Sequence, residues 1–339
     1  MKKFRFMLYL VILMLVLTLT ACGGSDLIPD DKIVIPASGL YVAGSTGDAV
    51  DQYATLWVDG VATILSDQNS MAISVFVFGS DVYVVGEIGT GENTRATLWK
   101  NGVPQALSTE FSLANSVFVT DSNVYVAGQV GRNLDRKAAL WINGTLHILS
   151  DERSSAHSVY VSGSDVYVSG SVSTGGDHSN TATLWKFNGT TETLGDIDVT
   201  TTHSVFVSGG VVYVAGVDFG IGIALLWTDG ISEVLSDSFI SDALSVFVSG
   251  NDIYVSGYEF NDDFIQVAML WKNGVSQSLD LGTSAESSAE SVFVSGNDVY
   301  VAGILTDENM NQTAALWTNG ELEILSEDLS YAYSVFFVP

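Results

Sequence analysis

Ser291-Val-Phe-Val-Ser-Gly-Asn-Asp-Val-Tyr-Val-Ala-Gly303, a variable stretch, then Ala314-Ala-Leu-Trp317, Asn319-Gly320 and Leu322-Glu-Ile-Leu325 make up one unit of this 339-residue chain. The first half holds two β-rich runs joined by a Gly-Asn-Asp turn, a hairpin of strands A and B. The second half reads as strands C and D joined across Asn-Gly, a dipeptide that tolerates the positive φ required at both positions of a two-residue turn.

This unit recurs. All seven tryptophans stand in the same phrase, ATLW or a close variant, at Trp57, Trp99, Trp141, Trp185, Trp227, Trp271 and Trp317, spaced by 42, 42, 44, 42, 44 and 46 residues. Each is followed by Asn-Gly or Asp-Gly, from Asp59-Gly60 to Asn319-Gly320. Self-similarity at this period marks a chain whose units bury their faces only against neighbours. The sequence therefore predicts an all-β fold, a seven-bladed β-propeller of four-stranded antiparallel blades over residues 32–339. A composition of 47% hydrophobic and 15% charged residues, with four prolines, fits sheets buried on both faces.

The last unit stops at Ser334-Val-Phe-Phe-Val-Pro339, a strand A with nothing behind it, while the first strand B, Leu40-Tyr-Val-Ala-Gly44, is preceded only by the weak match Lys32-Ile-Val-Ile35. The simplest closure gives the C-terminal strand to blade 1, removing the free edges of an open sheet; the alternative places residues 32–35 there. A closed ring of this kind is expected as a monomer.

The N-terminus carries addressing information. Lys2, Lys3 and Arg5 precede an apolar stretch from Met7 to Leu19, too short for a comfortable membrane span. Leu19-Thr20-Ala21-Cys22 follows and resembles the lipobox of bacterial lipoproteins. That resemblance implies a signal peptide at residues 1–21, cleavage before Cys22, a lipid on this only cysteine, and a short tether over residues 22–31. It also implies a bacterial cell envelope location, and the outer membrane in a Gram-negative source, since Gly23 rather than Asp follows the cysteine.

The repeat phrases are similar to those of bacterial repeat lipoproteins carrying SVFVSG-DVYVAG and ALWKNG, and the strand order resembles the kelch and galactose-oxidase propellers. The chain departs from kelch in lacking a Gly-Gly doublet after strand B and in placing its Trp on strand C. It has no WD or Gly-His signature. The resemblance implies fold and anchoring but no reaction, because propellers host many unrelated functions.

Positions alike in all seven units belong to the scaffold, so the tryptophans read as packing between blades rather than as a sugar-stacking platform. Variation concentrates on the face carrying the B–C and D–A loops, where binding usually resides. The residue before each Ser-Val reads Ile73, Asn115, His157, His203, Leu244, Glu290 and Tyr333, and these are expected around the mouth of the central channel.

Charge narrows the partners. Without the signal, nine basic residues face 39 acidic ones, so nucleic acid is excluded as an expected partner. Arg95, Arg132, Arg136, Lys137 and Arg153 fall on one sector of the variable face, in B–C loops of blades 2 and 3 and the D–A loop into blade 4. Guanidinium groups there suit carboxylate, sulfate or phosphate; the plain alternative is solvated charges paired with Glu92, Asp135, Asp151 and Glu152.

Catalytic and metal signatures are weak. His157 and His203 lie on neighbouring blades, with no third zinc ligand supplied by spacing. No calcium loop appears, although Asn261-Asp262-Asp263 could hold calcium loosely. Neither sialidase boxes nor a G-x-S-x-G nucleophile elbow is present, and the members of a Ser-His-Asp triad would meet only in space. No metal, cofactor or catalytic residue is expected. The sequence favours a non-enzymatic binding module that meets an envelope protein or an anionic polysaccharide through its variable face. A glycan-active hydrolase or lyase at the channel mouth and a structural scaffold of an envelope complex stay open.

Overall fold

A computed structural model describes residues 38–48, 50–173, 180–187, 191–194 and 200–339, which form seven four-stranded antiparallel sheets. The expectations for the signal, Cys22, the tether, residues 32–35 and the Asn188-Gly189 turn lie outside the described residues. A representative blade, the second, runs Ser70–Phe78, Asp81–Ile88, Arg95–Lys100 and Val103–Ala106 as strands A to D. Blade 1 is completed from the far end of the chain: Leu329–Val338 pairs antiparallel with Gly39–Gly47 and is its strand A. The C-terminal strand closes the ring.

The C–D turns form as their sequence dictates. In the six that are described, Asn or Asp has φ between 46° and 53° and the following Gly between 76° and 87°. The Asn or Asp side chain then accepts a hydrogen bond from an amide near the start of strand B, as Asn101 does from Val82 at 2.8 Å and Asn319 from Val299 at 2.9 Å. Lys100, Lys186 and Lys272 pair with Asp81, Asp165 and Asp252 at 2.6–2.8 Å, which accounts for them as parts of this uniform face.

Strand A differs from the sequence reading. It starts about four residues before Ser-Val, at Ser70, Ser112, Ser154, Thr200 and Ser241 in blades 2 to 6. In all seven blades its register with strand B shifts at one point, as between Ala72 and Ser74, so the variable residue before Ser-Val is a one-residue bulge. The glycine of Tyr-Val-x-Gly stands opposite this point. A Cβ on Gly86 would sit 1.9 Å from the Met71 carbonyl oxygen, and one on Gly303 2.0 Å from that of Ser288 and 2.8 Å from the Trp317 ring. Only hydrogen fits there.

Three closed belts join the blades. The hydroxyl of each Ser-Val serine accepts from the Val amide of the next blade, from Ser74 to Val117 at 3.3 Å round to Ser334 and Val75 at 3.2 Å. Further out, the Ala amide of each strand C donates to the Ser or Thr near the start of the next strand A, at 2.8–3.0 Å in every blade. Deeper along the channel, Phe76, Phe118, Tyr160, Phe206, Phe247, Phe293 and Phe336 form an unbroken aromatic collar with centroids 4.7–4.9 Å apart.

Packing supplies most of the energy. Trp141 is fully buried against Tyr83, Leu98 and Leu107 of blade 2, and Trp317 against Tyr254 and Leu270 of blade 6. Burying such a side chain is worth roughly 1.5–3 kcal/mol or more, against about 1 kcal/mol net for one hydrogen bond. The belts therefore set register, while the tryptophans hold the blades together.

Deleting Ser334–Pro339 removes one member of the serine belt and one of the collar, and takes the second half of strand A from blade 1. A thermal melt should fall by about 10 °C or more, whereas removing residues 23–31 should leave it unchanged. Equal melting temperatures would contradict closure by the C-terminal strand.

Candidate functional site

The bulges decide what the channel mouth contains. An extra residue in strand A re-aims its side chain, and Ile73, Asn115, His157, His203, Leu244, Glu290 and Tyr333 all line one cavity of about 490 Å³. Leu113, Gln129, Arg136 and Ser155 complete its wall. Of the five basic residues grouped by sequence, Arg136 alone lines this cavity.

The others part company. Arg95 and Lys137 open strands C, at Arg95–Lys100 and Lys137–Ile142, rather than lying in loops. Arg95 donates to the carbonyls of Glu92 and Thr94, Arg132 stacks 4.7 Å over Phe111, and Lys137 pairs with Asp151 at 3.7 Å. The expected pairing of this sector with Glu92, Asp135 and Glu152 does not form as salt bridges among the described residues. Burial, and then the charge of nearby Arg153, lowers the Arg136 pKa, and the Nε of both arginines is buried without a hydrogen-bond partner.

The polar bulge residues reach towards the next blade. Asn115 Nδ2 donates to the Ala156 carbonyl at 2.8 Å, and His157 Nδ1 contacts that of Thr202. His203 and Asp242 stand 3.2 Å apart. Neither His203 Nε2 nor Asp242 Oδ1 has a well-directed hydrogen bond, so charge rather than direction holds this pair. The two imidazoles stack with centroids 6.1 Å apart, and their environments separate them. Burial, then the charges of His203 and Arg136, drive the His157 pKa down to about 4 despite its bond to Thr202. Burial also opposes charge on His203, but Asp242 and then Glu290 overcome it and raise the pKa.

Across the mouth the chemistry is acidic and aromatic. Burial raises the Glu290 pKa against the opposing effect of the Ser288 hydroxyl, which donates to Oε1 at 2.6 Å. Burial and the nearby carboxylates push Tyr258 up to about 12 and raise Tyr333 as well. The Tyr331 and Tyr333 rings are stacked 5.8 Å apart.

Sequence reasoning missed Asp242, Gln129, Tyr258 and Ser155. They occupy two further variable positions, two residues before Ser-Val's bulge residue and directly after the strand B glycine, and their signals were the repeats S/T-x-A/T-x-S-V for Ser155 and Asp242 and Tyr-Val-x-Gly for Gln129 and Tyr258. Outside the cavity, Phe239 and Phe264 meet edge to face at 5.1 Å on the rim of blades 5 and 6, with Phe219 and Ile221 also exposed. Among the described residues no three His, Cys, Asp or Glu gather as a metal-binding group.

The fold is that of the seven-bladed β-propellers. Solved structures similar to it include a puromycin-hydrolyzing peptidase of Mycobacterium tuberculosis, 10% identical with a TM-score of 0.57, over 87% of this chain and 54% of that one. An acylaminoacyl peptidase of Pyrococcus horikoshii aligns at 12% identity and 0.52, over 87% and 52%. The β-propeller domain of the Trilobed protease from Pyrococcus furiosus aligns at 9% and 0.53, over 87% and 98%, and is described as having an open velcro topology. The chain spans about half the length of the two peptidases. At these identities the likeness is one of fold alone. The sequence matches no protein-family model and no curated protein.

The two histidines should titrate apart. By NMR, His157 is expected near pH 4 and His203 above its ordinary 6.5, with Asp242→Asn lowering the latter. Between pH 6.5 and 4 the unfolded chain binds a proton that folded His157 refuses, so acid lowers stability there, and His157→Asn should flatten that part of the melting profile. Coincident titration of both near 6.5 would contradict this arrangement.

Proposed function

We propose that this chain is a non-enzymatic binding module, held at a bacterial envelope membrane by a lipid on Cys22, that takes an anionic ligand in the cavity at its channel mouth. One observation carries the reading. Residues that build the ring repeat from blade to blade, while the seven bulge residues, which differ in nearly every blade, converge on a single cavity. A scaffold that keeps its packing constant and varies what it presents is suited to recognition. Arg136 supports an anionic partner, because its guanidinium has no salt bridge among the described residues and is pressed by Arg153. An acidic envelope polysaccharide or an acidic protein segment would supply the missing counter-charge. The apolar rim around Phe239 and Phe264 favours a partner larger than the cavity.

Binding should be read by calorimetry with polygalacturonate and heparin as probes. Arg136→Ala should weaken binding by about tenfold or more and flatten its salt dependence, without lowering the melting temperature. Arg132→Ala, whose guanidinium is engaged on Phe111, should have little effect. Binding unaffected by Arg136→Ala would remove the cavity from the reading.

Anchoring is tested separately. Cys22→Ser should abolish incorporation of a fatty-acid analogue in bacterial cells and leave the chain uncleaved or soluble. Label persisting in that variant would show that the lipid sits elsewhere.

A further inference from the structure

The charges of the cavity are sorted by direction. Arg136 belongs to blade 3, and in a seven-membered ring the point opposite blade 3 falls between blades 6 and 7. There Glu290 of blade 7 lines the cavity, while Asp242 of blade 6 is buried against His203 and outside the lining. The mouth therefore has a positive wall and a negative wall facing each other across one cavity of about 490 Å³.

Neither wall neutralises itself completely. Asp242 is engaged by His203 at 3.2 Å, so its charge is spent within the protein. Glu290 accepts from Ser288 but has no salt bridge among the described residues. Arg136 is in the same position on the other side, with its Nε buried and unbonded. Holding charges out of water without partners is unfavourable, and direct pairing across the cavity is not made. A carboxylate beside tyrosine rings is a setting for an ammonium group, through charge and the ring faces together, and Tyr333 lines the cavity next to Glu290 in its electrostatic surroundings. A guanidinium with free donors is a setting for a carboxylate. Between the two walls, Asn115, Gln129 and Ser155 offer uncharged polar contacts and Ile73 and Leu244 apolar ones.

We propose that the cavity binds a small zwitterion of the peptide type, its carboxylate at Arg136 and its ammonium at Glu290 and Tyr333. This rests on the reading of the cavity as a ligand site and specifies what fills it. The anion-binding half is shared with that reading, and the cationic half is new.

The test uses the purified full chain and oligoalanines of two to five residues, each with free termini, N-acetylated, C-amidated, or blocked at both ends. Calorimetry should show one free-terminus length binding best, with either block weakening it about tenfold or more. Glu290→Gln should make the free and N-acetylated peptides bind alike while leaving the penalty for amidation. Arg136→Gln should do the converse, and unchanged melting temperatures should show that both variants keep the ring. Loss on amidation without loss on acetylation overturns the zwitterion while anion binding stands. Absence of binding by every oligoalanine, with polygalacturonate still bound through Arg136, does the same. Failure of the peptides and of both polysaccharides together overturns the cavity as a ligand site.

Discussion

A single extra residue in each innermost strand governs the centre of this molecule. Every strand A carries a bulge opposite a strand B glycine, and the glycine is obligatory because a carbonyl oxygen of strand A occupies the space of its Cβ, at 1.8–2.2 Å in all seven blades. The bulge has two consequences at once. Its disruption of the ladder accompanies a Val amide that bonds to the neighbouring blade's serine, which links the ring. It also turns one side chain per blade into the channel mouth.

Scaffold and cavity lining are thereby separated on one short segment. In S/T-x-A/T-x-S-V the fixed positions go to the belts and the inter-blade core, the free position directly before Ser-Val goes to the cavity in every blade, and the other free position reaches it only at Leu113 and Ser155. Ser74 cannot vary without leaving Val117 short of a partner, whereas Ile73 beside it carries no such duty. A residue one place along the chain thus meets an entirely different constraint. This explains how a ring of nearly identical blades can present a cavity whose seven bulge positions repeat only at the neighbouring His157 and His203.

The electrostatics follow from the same geometry. The protein is strongly acidic, with a formal charge of −27, and a basic group that is left without a carboxylate in such a field is held there by the fold. Arg136 and Arg153 are such groups, while the three lysines on the opposite face are each satisfied by an aspartate at the start of strand B. His157 and His203, stacked and chemically identical, are driven in opposite directions because only the second has a carboxylate beside it. Burial alone would have lowered both.

The sequence by itself determined the number of blades, the four strands of each, the Asn-Gly turns, the buried tryptophans and the unmatched last strand that closes the ring, because each of these depends on local conformational preference or on a repeated apolar pattern. It also marked the variable residue before Ser-Val, since seven copies within one chain expose what the scaffold leaves free. What it could not supply is the partnership among those residues. Arg95, Arg132, Lys137 and Arg136 look alike as charges on neighbouring loops, yet the first two turn to backbone carbonyls and a phenyl ring, Lys137 finds Asp151, and Arg136 enters the cavity. Glu290 lies 154 positions from Arg136 in the chain, and their opposition across the mouth exists only after the ring has closed. Charge pairing depends on distance through space, and only the tertiary structure fixes that distance.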